Sequence, residues 1–520
     1  MIDLGQCFIG IEFGSTRIKS VLIDSNFQVL AKGEYDWENK LENGFWTYSY
    51  QKIIEGMQGC YASLKEQVRT KFGIVLSKAG GIGISGMMHG YIPLDNSGKP
   101  LVSFRTWRNN NAEGAATELT KLFDYPVPAR WSIAHLYYAI QKGEKHILEI
   151  ATITTLAGYV HFLLTGKKVV GIGEASGIFP IDTTTLNYDQ SMLAAFDESV
   201  KGKLSDSIKN ILPAVLVAGK SAGCLTAEGA LLMDPEGDLQ AGIALCPPEG
   251  DAGTGMVATN SVKAGTGNVS AGTSIFSMVV LDKPLSRVHG GIDLVTTPCG
   301  KKVAMVHCNN CSSEINAWVS VFEEFSEKTG RKIEKSELYK VLFESAPEGD
   351  ANCGGTVSCN YLSGENLTGI GKGIPLVMRT AEGSFNLANF MRSLLYSAFV
   401  TLKIGMDELI RGEKLKIDKI YAHGGIFKTE GGCQQFLADA MKVPTTTMKT
   451  ASEGGAWGMA VLASYMGESL TLAQYLERKV FAGEEERMCV PEKVNAEGFE
   501  EYTKNFKKLL IAERALSELA

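Results

Sequence analysis

The stretch Ile11-Glu-Phe-Gly-Ser-Thr-Arg-Ile-Lys-Ser-Val-Leu-Ile-Asp24 has an echo half a chain away, Val269-Ser-Ala-Gly-Thr-Ser-Ile-Phe-Ser-Met-Val-Val-Leu-Asp282. In each, an apolar lead-in reaches a glycine and two hydroxyl residues, and a β-rich run then closes on an aspartate. The pattern predicts strand, tight turn, strand, used twice. Glycine admits the dihedrals of such a turn and leaves room for its N–H groups and hydroxyls to approach a phosphate. One copy reads as an ordinary turn, because Gly and Ser favour turns everywhere. Two copies suggest a duplicated unit whose turns face each other across a cleft.

Outward from the first copy, residues 7–13, 18–23 and 28–33 form three β-runs of a meander. Ile53, Met57, Leu64 and Val68 then recur at helical spacing over 50–70, which predicts a helix covering that sheet. The run Gly81-Ile-Gly-Ile-Ser-Gly-Met-Met-His-Gly90 reads as a buried strand ending in a ligand-presenting loop. Next, Trp107-Arg-Asn-Asn-Asn111 places an aromatic, a cation and amides together. Residues 134–166 carry a helical pattern stopped by Gly166, and residues 241–247 read as a strand leading to Glu249-Gly-Asp-Ala-Gly253, which opens a helix. An acid such as Asp251, at a strand end beside a helix N-terminus, suits phosphate and metal chemistry and can also cap the helix. Gly219-Lys-Ser221 lacks the first glycine of a phosphate-binding P-loop, since Ala214 stands there. Residues 387–410 form a helix with a core stripe, residues 420–428 a strand running into Gly424-Gly425, and residues 500–519 a surface helix.

The 520 residues exceed one compact core, and the repeat favours two large domains, divided as 1–253 and 254–520. Hydrophobic residues make up 45% and charged residues 21%, which describes a globular chain with ample core material. A net charge of -7 speaks against a nucleic-acid surface, so any phosphate is gripped by local geometry. The acidic N-terminus does not resemble a signal peptide, and the uncharged stretch at 151–166 falls short of a membrane span; a cytoplasmic protein is expected. Eleven cysteines read as free thiols. Cys308-Asn-Asn-Cys311 has metal-ligand spacing, but no second close pair completes a four-ligand zinc site.

Taken in order, the Gly-Ser-Thr turn with Lys19, Ser-Gly-Met-Met-His-Gly90, Trp107-Arg-Asn, Leu-Leu-Thr-Gly166, Gly250-Asp251-Ala-Gly, Ala-Gly-Thr-Ser274, His-Gly-Gly425 and Ser-Glu-Gly-Gly-Ala-Trp-Gly458 resemble the FGGY carbohydrate kinases across nearly the whole chain. The Met-His loop followed by the Trp loop is most similar to the xylulokinase branch. The resemblance implies an α/β fold of two actin- and hexokinase-like (ribonuclease H-like) domains, each on a five-stranded sheet, with a cleft between them. It implies ATP and Mg²⁺, a small sugar as substrate, no nucleic-acid or membrane partner, and it admits a homodimer.

Carried over, Asp251 is the general base that takes a proton from the acceptor hydroxyl. Met88, His89, Trp107, Arg108 and Asn109 bind the sugar on the N-terminal side. Gly14, Ser15 and Thr16 form the first phosphate turn, and Gly272 and Thr273 the second. Gly424 and Gly425, with Glu453 and Gly454, bound the adenosine pocket, and Glu12 and Asp251 hold Mg²⁺. The family usually has Asp at positions 12 and 109, where this chain has Glu12 and Asn109. Two readings stay open: a kinase for xylulose or another ketose such as ribulose or sedoheptulose, and a non-catalytic sensor of the same fold. Retention of a base at position 251 favours the enzyme.

Overall fold

The computed structural model describes residues 2–429, 432–448 and 454–519. The chain folds into two compact units interleaved in sequence: one holds 1–262, 293–303 and 453–483, the other 263–292, 304–452 and 484–520. These do not coincide with the halves 1–253 and 254–520.

The first unit is built on a five-stranded sheet in the order Glu249–Gly250, Gly81–Gly86, Phe8–Phe13, Arg17–Ile23, Val29–Asp36. The first three run parallel and the last three form the expected antiparallel meander. Tyr50–Phe72 is the expected helix, started by the Ser49 side chain and ended at Gly73. It buries Ile53, Met57, Leu64 and Val68 together with Ile11, Ile18 and Leu22 in one core.

The second unit repeats the arrangement. Its sheet carries seven strands, and the central five run Thr445–Thr447, Lys419–His423, Thr266–Ala271, Ile275–Val280, Lys302–Cys308. Its first three are again parallel, and Thr266–Ala271 pairs antiparallel with Ile275–Val280. The echo is inexact in one respect. Phe13 faces Ile18 across the first turn, but Ala271 faces Ile275 across the second, so the second turn is one residue tighter. Leu387–Asp407 crosses this unit with Phe390, Leu394, Phe399, Leu402 and Met406 buried.

Three expectations need correction. The 134–166 pattern is two helices, Ser132–Gln141 and Leu156–Thr165, because Gly143 turns left-handed and the β-branched Thr152–Thr154 pairs with Ile92–Leu94. The strand expected at 241–247 is reduced to one bridge, Ile82 to Leu245; Pro247 and Pro248 lack the N–H a ladder needs, and pairing resumes only at Glu249–Gly250. The C-terminal helix, Lys493–Leu519, lies against its unit and buries Phe499, Tyr502 and Phe506. The Tyr502 hydroxyl meets the Ser358 and Ser393 carbonyls, which anchors that face.

In the first unit, backbone closeness fixes one helix. Gly454–Ser464 lies so near the sheet that a Cβ on Gly10 would fall 2.0 Å from the Ala456 carbonyl, and one on Gly458 would fall 2.2 Å from that of Thr254. Gly10→Ala is expected to lower the thermal midpoint by about 5–10 °C, because backbone on both sides must move. Differential scanning calorimetry checks this, and an unchanged midpoint would contradict the packing.

Candidate active site

Parallel pairing places Glu12, at one end of its strand, beside Ser85. The neighbouring strand, Glu249–Gly250, delivers Asp251 as the first residue of the helix Asp251–Ala258. The Thr254 hydroxyl, one turn along, contacts Ser85 Oγ at 3.2 Å, and a Cβ on Gly455 would meet both Glu12 Oε1 and Thr254 Oγ1. Two carboxylates therefore share one half-buried corner. Burial, then the charge of Asp251, pushes Glu12 up to about 7; Lys19 and the Ala456 N–H offset part of this. Burial also raises Asp251, opposed by the N–H groups of Met88 and Ala252.

The expected sugar loop adjoins that base. Met88 N–H donates to Asp251 Oδ1 at 3.1 Å. His89, at φ +73°, is buried, stacks on Trp131 with centroids 6.4 Å apart and approaches the Gly177 carbonyl with Nδ1. A left-handed histidine is costly, and both Met88 and His89 pack against Gly177, where an added Cβ would meet His89 Nδ1 and the Met88 methyl group.

The loop at 107–109 divides its labour. Trp107 is 38% exposed, so core packing does not account for it. Arg108 lies over the Trp46 ring at 4.1 Å and donates to Asn39 Oδ1. Asn109 is buried and consumed by the backbone: Oδ1 accepts from Trp46 N–H at 2.7 Å while Nδ2 donates to the Trp46 and Thr106 carbonyls. An aspartate could accept but not donate there, which gives the Asn109 departure a structural cause.

In the turn expected to meet phosphate, Gly14 N–H donates to the Arg17 carbonyl, and Ser15 and Thr16 stand at the turn's tip, Thr16 exposed. In the second unit, Gly272 N–H donates to the Ser274 carbonyl, Thr273 is exposed, and Ser312 holds the Gly272 carbonyl through both N–H and Oγ. Gly424, at φ +117°, brings its Cα against Ala271, where a Cβ would fall 2.0 Å from the carbonyl; Gly425 opens a 3-10 turn with open space around it. Gly454 starts the helix beside Glu12, in the first unit and not with Gly424 and Gly425. Glu453 lies outside the described residues.

Sequence reasoning missed two buried acids under the base. Glu249 accepts from the N–H groups of Gly173 and Glu174, and burial still pushes it up to about 8. Glu174 is fully buried beside Gly250, and burial, then the charges of Glu249 and Asp251, raise it well above the carboxylate range, with the Thr155 hydroxyl opposing. Glu249 adjoins the Gly250-Asp251 motif and could have been flagged by position; Glu174 carries no such signal.

Two family models match: the N-terminal domain of the FGGY family of carbohydrate kinases over residues 7–237 and its C-terminal domain over residues 267–467. The chain belongs to the FGGY family of carbohydrate kinases. It is 23% identical over 477 residues to a xylulose kinase of Haemophilus influenzae, covering 88% of this chain and 90% of that one. Two crystal structures from Lactobacillus acidophilus, a gluconate kinase and a ligand-bound xylulose kinase, each superpose with a TM-score of 0.78 at 18% identity. They cover 98% and 97% of this chain and 98% of their own. The two-domain actin- and hexokinase-like fold is thus shared, and equal likeness to two kinases of different name shows that the fold does not select the acceptor. No helix among the described residues is long and apolar enough to cross a membrane.

The raised acids have a measurable consequence. An acid whose folded-state pKa lies above its unfolded value stabilises the fold below the unfolded value and loses that contribution as pH rises through the folded one. With Glu12 raised to about 7 and Glu249 to about 8 from an ordinary 4.5, the ligand-free thermal midpoint is expected to fall as pH rises from about 5 to about 8, with Glu249→Gln flattening the fall. A midpoint that holds or rises over that window would contradict the assignment.

Proposed function

We propose that this kinase transfers the γ-phosphoryl group of ATP to a hydroxyl of a ketopentose or a closely related sugar or polyol, with D-xylulose the first acceptor to test. The observation that carries the reading is the hydrogen bond from Met88 N–H to Asp251, which sets a half-buried carboxylate against the loop expected to hold the sugar. In this reading Asp251 Oδ2 takes the hydroxyl proton, the oxygen attacks the γ-phosphorus, and the bond to the β-phosphate bridging oxygen breaks to release ADP. Its raised pKa strengthens the base, provided it is deprotonated at working pH. Met88, His89, Trp107 and Arg108 would bind the acceptor, while Asn109 acts by shaping the loop. The hydroxyl-bearing turns at 14–16 and 272–273, with Gly424 and Gly425, would meet the nucleotide. The sugar side then falls in the first unit.

Glu12 and Asp251 would suit Mg²⁺, since two carboxylate oxygen donors leave room for waters and phosphate. Mg²⁺ held there would neutralise phosphate charge. Glu12, raised by burial and by the charge of Asp251, is a group such an ion would relieve. The sensor alternative loses one of its grounds, since Asn109 serves the loop.

A coupled ADP-release assay over pentuloses, hexuloses, heptuloses, alditols and gluconate tests the reading, with turnover expected for at least one acceptor. Asp251→Ala should lower that turnover by at least ~10²-fold. Near-unaltered turnover in the variant would refute the base, and sugar binding without turnover by the unaltered chain would favour the sensor.

A further inference from the structure

All three carbonyls of the Gly14-Ser15-Thr16 turn are held by one aromatic shelf. Trp37 Nε1–H donates to the Gly14 carbonyl at 2.7 Å, the Tyr48 hydroxyl to that of Ser15 at 2.5 Å, and Trp37 N–H to that of Thr16 at 3.1 Å. Both aromatics are buried, and their rings stack with centroids 4.1 Å apart. Because C=O and N–H point opposite ways across a trans peptide, fixing the Gly14 and Ser15 carbonyls aims the Ser15 and Thr16 N–H groups away from the shelf.

The shelf reaches further. Tyr48 Oη accepts from Asn39 Nδ2 at 3.4 Å, and Asn39 Oδ1 accepts from Arg108 Nη1 at 3.0 Å. Arg108 in turn rests on Trp46, whose backbone Asn109 clamps. A directed chain of hydrogen bonds, Arg108 to Asn39 to Tyr48 to Ser15, thus joins the 107–109 loop to the first phosphate turn within one unit. Each member orients the next, since a hydroxyl that accepts from one side donates to the other.

We propose that Tyr48 and Asn39 are positioning residues: they touch no reacting atom but set the aim of the Ser15 and Thr16 N–H groups, so that the grip on nucleotide phosphate depends on how the 107–109 loop is held. This rests on the kinase reading above and adds residues that reading does not use.

A double-mutant cycle on the full chain tests it. Titration calorimetry measures affinity for AMP-PNP with Mg²⁺ in the unaltered protein, Tyr48→Phe, Asn39→Ala and the double variant, with thermal midpoints alongside. Each single change is expected to weaken binding about fivefold, the loss of one hydrogen bond. The double variant should be no weaker than about twofold beyond the worse single, because both break one chain. Midpoints should stay within about 2 °C, as the ring stack survives. Asn39→Asp should behave like Asn39→Ala, since a carboxylate cannot donate to Tyr48. Unaltered AMP-PNP affinity in Tyr48→Phe, or fully additive losses, would overturn the relay alone. Failure of the unaltered chain to bind AMP-PNP would take down the kinase reading and the relay with it.

Discussion

Two carboxylates, Glu12 and Asp251, share one half-buried corner, and the fold works to keep them there. Left alone the pair is unfavourable, since each carboxylate raises the cost of ionising the other as burial strips away water. Such an arrangement persists only where surrounding structure over-determines it. Parallel strand pairing fixes Glu12 and the start of the Asp251 helix from below, while the Gly454–Ser464 helix closes over them at a distance only glycine permits. In the proposed reading a divalent cation would relieve that repulsion, which is how a structural cost would become a binding preference.

Around this corner the backbone carries much of the specificity. Met88 N–H holds Asp251, Asn109 spends a whole side chain on Trp46, and the carbonyls of the Gly14-Ser15-Thr16 turn are tied to Trp37 and Tyr48. The ligand-facing atoms are therefore placed by residues that need not touch a ligand. Equal fold similarity to a gluconate kinase and a xylulose kinase means that the shared frame leaves the choice of acceptor to individual side chains.

Elements with strong periodicity or a repeated turn were legible before any coordinates: the meander, its echo, the Tyr50–Phe72 helix and the strand into Met88-His89. The interleaving of the two units was not, because the return of residues 453–483 to the first unit is a long-range contact decided by glycine packing. The second turn, one residue tighter than the first, was hidden because letter-for-letter similarity does not fix register. Of the site, the closeness of Asp251 to the loop at 88–90 followed from motif order, whereas the backbone partners of Asn109 carried no sequence signal. Glu174 and Tyr48 act through distant contacts and gave no local signal at all.

In the proposed reading Glu12 and Asp251 together would hold the divalent ion of the nucleotide complex. Water-proton relaxation of Mn²⁺, titrated with ADP into the unaltered chain, Glu12→Gln and Asp251→Asn, addresses it without turnover. The account predicts a ternary Mn²⁺–ADP–protein complex for the unaltered chain and its marked weakening in both variants; undiminished Mn²⁺–ADP binding by Glu12→Gln would contradict it.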